Sequence, residues 1–241
     1  MKDTNVMRTL GLIGGMSWES TALYYSGLNR GVAEKMGGLH SAPLLMASVD
    51  FQKIVDYQLS DQWDKAGCEL ADLAKRLEDA GADAIALAVN TMHKVADPIR
   101  NAVSIPFLDI REALGTALAS TGADKAVLLG TNYVAREDYY FGQVEARLAG
   151  EMKLSLLPDD EQSFVHDIIY GELAKGEVSP VTRQKIADGI SRSVSEQGVG
   201  AVALACTELP MLDLGDLLPD LPIADSTSAH IAACVDFIVN S

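Results

Sequence analysis

The sequence predicts an α/β protein of two pseudo-symmetric domains, each a parallel β-sheet flanked by helices. Short apolar runs alternate along the chain with longer amphipathic runs, which is the pattern of βα units around a parallel sheet. The 241 residues, of which 48% are hydrophobic and 22% charged, are enough for two domains of about 120 residues each. This composition excludes intrinsic disorder as the main state of the chain.

A repeat between the two halves of the chain is the second observation behind this fold class. The segment TLGLIGG at 9–15 resembles KAVLLGT at 125–131, and ADAIALAVNT at 82–91 resembles VGAVALACTE at 199–208. In each half, nearly the same number of residues separates the first segment from the second. The two halves are therefore predicted to share one fold.

The predicted strands are apolar runs that end in a turn. Strand 9–13 ends at two glycines, and strand 201–205 ends before Cys206. The predicted strands are 9–13, 44–48, 84–89, 107–109, 126–129, 153–156, 201–205 and 223–224. Amphipathic spacing predicts the helices 20–35, 63–80, 91–102, 111–120, 136–149, 161–175, 180–197 and 227–239.

The charge balance limits the partners of the protein. A net charge of −15, from 19 basic and 34 acidic residues, predicts a solvated acidic surface. Neither nucleic acid nor an anionic membrane is expected as a partner, because both require a basic surface. No apolar run approaches the roughly 18 residues that cross a bilayer, and the first residues contain no cleavable apolar stretch. A cytoplasmic location is therefore expected.

Motifs for cofactors and metals do not occur in the sequence. The glycines of 11–15 lack the spacing of a dinucleotide site, and no phosphate-loop motif is present. The four histidines are scattered without the spacing of metal ligands, and no glycine-flanked serine elbow is found. No cofactor and no metal are expected.

The three cysteines differ in their sequence context. They are widely spaced and form neither a disulfide framework nor a metal-binding pair. Cys68 and Cys234 lie in helical segments and are predicted to be small core residues. Cys206 follows an apolar strand and precedes a turn into a predicted helix, where free N–H groups lower the pKa of a thiol. It is a candidate nucleophile or base, with a buried core cysteine as the alternative.

The carboxyl ends of the predicted strands are the candidate binding sites, because ligands of open parallel sheets bind there. In a repeated fold Val89 and Cys206 occupy equivalent places, which predicts one pocket with these residues on opposite sides. Asn90 and Thr91 are equally well explained as a helix cap. The four candidate turns are 14–16, 89–91, 130–132 and 206–208.

Four motifs, in order along nearly the whole chain, resemble the aspartate/glutamate racemases, a family of amino-acid racemases that use no pyridoxal phosphate. They are GLIGGMSWEST at 11–21, SVDF at 48–51, NTMHKVAD at 90–97 and ACTELP at 205–210. The resemblance implies two α/β domains with the active site in the interdomain cleft, usually in a homodimer. It also implies cofactor-free inversion of a small acidic amino acid, in which one group removes the α-proton and another returns one to the opposite face.

The resemblance also implies domain boundaries, because the last segment of these proteins returns to the first domain. The predicted domains are therefore 1–113 with 222–241, and 114–221. Cys206 would be the acid/base of the second domain, and Glu208 would orient its thiol or the substrate ammonium group. The residues that would bind substrate are Gln58 after SVDF, together with Gly14, Gly15, Met16, Asn90, Thr91, Thr131 and Thr207.

Val89 departs from the pattern of the family. It stands where these racemases have their first-domain acid/base, which is cysteine or, in one subgroup, threonine. An isopropyl group carries no proton, so turnover is expected to be weak or altered. Three hypotheses remain open: a racemase that uses a substitute such as Thr91 or water, a single-thiol enzyme such as a decarboxylase of malonate-like acids, and a non-catalytic binder of acidic amino acids.

Overall fold

The computed structural model describes residues 7–240, which divide into two compact units. The first unit runs to Asp109 and resumes at His230, and the second is Ile110–Ala229. These limits differ from the predicted boundaries at 113/114 and 221/222. The segment 222–229, which the resemblance assigned to the first domain, belongs to the second unit.

The first unit is built on one four-stranded sheet. Its strands are β1 (Leu10–Gly14), β2 (Leu44–Ser48), β3 (Ala84–Leu87) and β4 (Phe107–Leu108). Its helices are α1 (Trp18–Met36), α2 (Phe51–Leu59), α3 (Trp63–Asp79), a 3-10 helix over Thr91–Val95, and α4 (Ala96–Ala102).

The second unit repeats this plan with a second four-stranded sheet. Its strands are β5 (Lys125–Leu129), β6 (Lys153–Ser155), β7 (Ala201–Leu204) and β8 (Ile223–Asp225). Its helices are α5 (Ile110–Ala119), α6 (Asn132–Ala135), α7 (Phe141–Arg147), α8 (Asp159–Gly171) and α9 (Pro180–Gln197), with 3-10 helices over Leu173–Lys175, Leu209–Leu212 and Leu214–Asp216. The last helix, α10 (Ser226–Val239), begins in this unit and continues into the first.

Both sheets are entirely parallel and have equivalent strand orders, which confirms the predicted fold class. The orders are β2-β1-β3-β4 and β6-β5-β7-β8. The central strands β1, β3 and β7 are buried along their whole length. This double-sided burial explains why their sequences are continuously apolar rather than alternating.

Apolar cores cover both faces of each sheet. In the first unit, α3 packs on one face through residues such as Leu70 and Ala74, and α1 with α10 packs on the other through Leu28 and Val235. In the second unit, residues of α8 and α9 cover one face and residues of α5 and α7 cover the other. Each sheet therefore exposes its strand ends, rather than its faces, to ligands.

The predicted strands all occur, whereas two helical regions differ from prediction. Helix α2 was not predicted, and the predicted helix 136–149 forms only over α7, with the short α6 ending just before that range. The core assignment of Cys234 is confirmed, but that of Cys68 is wrong, because Cys68 is exposed. Within residues 7–240 no helix is both long and apolar enough to cross a membrane.

Candidate active site

The turn after β1 has a backbone that only glycine adopts easily. Gly15 has a φ of 92°, and a Cβ on it would collide with the backbone of Val49. A Cβ on Gly14 would come within 2.5 Å of the Thr21 side chain. The Thr21 hydroxyl accepts a hydrogen bond from the Gly15 amide at 2.7 Å, so this amide is already used within the turn. Met16, the third candidate of this turn, is buried.

The turn after β3 lies beside the turn after β1 at the same edge of the first sheet. The Ala88 amide donates to the Ile13 carbonyl at 2.9 Å, which extends the β1–β3 pairing to the start of both turns. Val89 is partly buried and packs against the apolar core on the α3 side. Asn90 is buried and occupies the N-cap position of the 3-10 helix that follows, but its side chain makes no capping hydrogen bond to that helix.

The side chain of His93 holds the backbone of this turn by a hydrogen bond. Its Nδ1 atom donates to the Val89 carbonyl at 2.8 Å, because a carbonyl oxygen only accepts. Its Nε2 atom is directed toward Asp109, 3.9 Å away, and Asp109 is in turn paired with Arg100 at 2.9 Å. The imidazole is buried and both of its nitrogen atoms face these neighbours, which is the arrangement of a structural histidine.

Gln58 reaches the same region from α2. Its Nε2 atom lies 3.0 Å from the sulfur of Met92, the residue after Thr91. Sulfur is a weak acceptor, so this contact holds the amide loosely. In the first unit, Gln58 therefore lies beside the turn after β3, which in turn lies beside the glycine turn after β1.

In the second unit, Cys206 and Glu208 form a hydrogen-bonded pair directly after β7. The Cys206 thiol donates to Oε2 of Glu208 at 3.0 Å, and the Thr207 hydroxyl donates to the same oxygen at 2.7 Å. Burial of the thiol, followed by the negative charge of Glu208, raises the pKa of Cys206 well above its ordinary value.

The expected lowering of the Cys206 pKa by a helix start is therefore wrong. The helix that follows is a 3-10 helix of four residues, Leu209–Leu212, which is too short to offer a strong dipole. The resting thiol is protonated, and Glu208 is in position to accept its proton. The pair can therefore both donate a proton and, after transfer to Glu208, abstract one.

Three strands of the second sheet end in register around Cys206. Leu129 of β5 pairs with Leu204 of β7, which pairs with Asp225 of β8. The residues two positions after these three paired residues are Thr131, Cys206 and Thr227.

At this edge Thr131 was a predicted binding residue, whereas Ser226 and Thr227 were not predicted. The hydroxyls of Thr131, Ser226 and Thr227 are buried and have no hydrogen-bond partner within the described chain. Tyr170 of α8 was also missed: partial burial, then the nearby Cys206, raises its pKa to about 12, so it is a neutral phenol at physiological pH. The available signal was a serine and a threonine two and three residues after the predicted strand 223–224.

The fold and these strand ends define a class of protein: a two-domain α/β protein with a thiol–carboxylate pair at the ligand-binding edge of one sheet. The sequence model of the Asp/Glu/hydantoin racemase family matches residues 13–234. The chain belongs to this family, and its function is of the Asp/Glu racemase type.

Solved structures agree with this assignment. A Yersinia pestis protein assigned as an Asp/Glu racemase is 37% identical, with a TM-score of 0.90 over 96% of this chain and 99% of that one. An aspartate racemase homologue from Pyrococcus horikoshii is 28% identical, with a TM-score of 0.82 over 98% and 100%. The aspartate racemase of Picrophilus torridus, 23% identical over 95% and 93% with a TM-score of 0.70, shares the fold.

Proposed function

We propose that this protein is a cofactor-independent racemase-type enzyme for an acidic amino acid, in which Cys206 exchanges the α-proton from one face. The observation that carries the proposal is the hydrogen bond from the Cys206 thiol to the Glu208 carboxylate at a strand end of a racemase-family fold. Valine at position 89 supplies no proton to the other face, so exchange with retention outpaces inversion.

The proton transfers follow from the resting state of the pair. Glu208 accepts the thiol proton, and the resulting thiolate takes the α-proton of the substrate to leave a carbanion. The re-formed thiol returns a proton to the same face, which regenerates the starting enantiomer. In deuterium oxide the thiol proton exchanges with solvent, so the α-position becomes labelled without inversion.

Residual inversion requires a proton donor near position 89, and Thr91 is the candidate we propose. His93 is a poorer donor, because its Nδ1 proton is held by the Val89 carbonyl and its ring is buried. Thr91, in contrast, is only partly buried. We assign the binding of the carboxylates and ammonium group to Gly14, Gly15, Met16, Gln58, Asn90, Thr131 and Thr207.

The test compares α-deuterium incorporation with inversion for both enantiomers of aspartate and glutamate. We expect one enantiomer to exchange its α-hydrogen, measured by proton NMR, while chiral chromatography detects little inversion. Cys206→Ala should abolish exchange, and Cys234→Ala, which alters a buried thiol of the core, should not. Rapid inversion by the parent chain would contradict the disabling role of Val89.

A single-thiol decarboxylase is the second candidate, and Val89 is the observation that favours it. Decarboxylation of a malonate-like acid needs one proton donor on one face, which Cys206 alone can supply. Release of carbon dioxide from a substituted malonate, with no exchange on aspartate or glutamate, would support this candidate. Binding of the amino acids without exchange or turnover would instead indicate a non-catalytic binder.

We further propose that the protein is cytoplasmic, as the sequence predicts, and a homodimer, as the resemblance implies. Helix α1 exposes Trp18 and Tyr25, which are seven residues apart and so lie on one face, and the edge strand β2 exposes Met46. These apolar side chains favour a protein partner for the first unit. Light scattering coupled to size-exclusion chromatography measures the mass against the 25.7 kDa of one chain.

A further inference from the structure

The turn after β5 is held from both sides by one helix. Gln162 of α8 donates from its Nε2 atom to the Gly130 carbonyl at 2.8 Å. His166, one helical turn later, accepts at Nδ1 from the Asn132 amide at 3.2 Å. The backbone groups immediately before and after Thr131 are therefore both bound by side chains of the same face of α8.

Thr131 itself is left without a partner between these two bonds. Its side chain is buried, with 4% of the residue exposed, and its hydroxyl makes no hydrogen bond within the described chain. Burying a hydroxyl without a partner costs free energy, so such groups in folded proteins are rare and often functional. Rigid neighbours around an unpartnered hydroxyl are what a binding group requires.

The location of this turn connects it to the thiol. The Ala205 amide donates to the Leu129 carbonyl at 2.8 Å, so the turn after β5 starts beside the residue that precedes Cys206. Two further acceptors of the same region, Oε1 of Gln162 and Oδ1 of Asn132, are also buried without a partner. A hydroxyl donor and amide acceptors together complement the carboxylate and ammonium groups of an α-amino acid.

We propose that Gln162 and His166 are positioning residues that fix the Thr131 hydroxyl for the α-amino-acid headgroup of the substrate. This inference rests on the proposed function and deepens it, because Gln162 and His166 act through Thr131 rather than on the reacting atoms. Loss of either bond loosens the turn and weakens ground-state and transition-state binding alike. Such a loss raises KM and leaves kcat almost unchanged.

Two substitutions of His166 distinguish a role in positioning Thr131 from a role in packing. His166→Leu removes the acceptor, whereas His166→Asn keeps an acceptor oxygen at the place of Nδ1. For α-deuterium exchange of the active enantiomer of aspartate, we expect KM to rise about 3- to 10-fold in His166→Leu and to stay near the parent value in His166→Asn. Asp167→Asn, on the exposed side of the same helix, is the matched control and should leave KM unchanged.

A double-mutant cycle tests whether His166 acts through Thr131. Thr131→Val removes the hydroxyl at constant shape, and we expect it to raise KM about tenfold. In that background His166→Leu should add less than about twofold, because the group it positions is gone. An additive effect, or a fall in kcat at constant KM, would overturn the inference. Gln162→Met gives a second cycle of the same design.

Amide hydrogen exchange supplies a readout that does not depend on activity. The Asn132 amide should exchange faster in His166→Leu than in the parent chain, and His166→Asn should keep its protection. If exchange activity depends on Cys206 but KM is unaffected in every variant, the inference fails and the proposed function stands. If calorimetry detects no binding of either enantiomer of aspartate or glutamate to the parent chain, both fail.

Discussion

The thiol of Cys206 donates a hydrogen bond to the carboxylate of Glu208 across 3.0 Å. Two residues separated by a single position thus share one proton at a strand end of the second sheet. Burial and the carboxylate both favour the protonated thiol, which reverses the expectation from the helix start. The proton of the pair rests on the sulfur, and Glu208 is the group that receives it when the thiolate forms.

Replacing Glu208 with Gln should separate proton transfer from binding. The amide still accepts a hydrogen bond but takes no proton, so we expect kcat for α-deuterium exchange to fall about 10²–10⁴-fold at neutral pH. The pKa of Cys206 should fall because the negative charge is gone, so the residual rate should rise with pH earlier than in the parent. Glu196→Gln, at an exposed carboxylate of α9, is the control; a similar loss there would argue against a role specific to Glu208.

The reactivity of the thiols should follow exposure rather than sequence context. The sequence context favours Cys206 as the reactive thiol, but Cys206 is buried with a raised pKa, whereas Cys68 is exposed on α3. Iodoacetamide followed by peptide mass spectrometry should therefore label Cys68 first in the folded chain. Glu208→Gln should increase labelling of Cys206 relative to the parent. Preferential labelling of Cys206 in the parent would contradict the protonated resting state.

The strand ends could be predicted from sequence because the strands are apolar throughout. Each such run ends at a turn, and the run ends predict the turns at Gly14, Val89 and Cys206. The exposed position of Cys68 could also be predicted from helical spacing, because the buried face of α3 is formed by residues such as Ala66 and Leu70. Helical periodicity was recognised there, but its buried face was not assigned.

Contacts across many residues could not be predicted from local patterns. The bond from the Asn132 amide to His166 joins positions 34 residues apart, and nothing in the spacing of the histidines indicates it. Helix α2 begins at the cap formed by Asp50, which lies inside the SVDF motif and was interpreted only as part of the resemblance. The direction of the Cys206 pKa shift depended on burial, which a single sequence does not reveal.

The buried His230 should make the protein sensitive to acid. Its Nε2 atom donates to the Leu108 carbonyl and its Nδ1 atom accepts from the Tyr24 hydroxyl, so the ring is neutral. Burial lowers the pKa of His230 to about 4. In the unfolded chain the same histidine binds a proton near pH 6.5. The contribution of the neutral His230 to the stability of the fold is therefore complete above that pH and is lost as the pH falls toward 4.

We expect this histidine to remove about 3 kcal/mol of unfolding free energy between pH 6.5 and pH 4. Urea denaturation at several pH values measures the loss. His230→Gln, which keeps a donor and an acceptor, should be less stable at pH 7 but should show a flatter pH dependence. The exposed His40 provides the control, because His40→Gln should leave the profile unchanged. An equally steep profile in His230→Gln would refute the assignment.

Replacing Val89 with Cys should restore the missing proton donor at the strand end of the first sheet. The two side chains differ little in volume and Val89 is only partly buried, so we expect a stability cost of about 1 kcal/mol or less. A positioned donor is worth about 10²–10⁴-fold, and we expect inversion of aspartate or glutamate, followed by chiral chromatography, to rise by that factor. Substrate KM should barely change, because valine makes no polar contact that the substitution removes. Val89→Ala, which adds no proton donor, should show no gain, and an inactive Val89→Cys with intact substrate binding would rule out the racemase proposal.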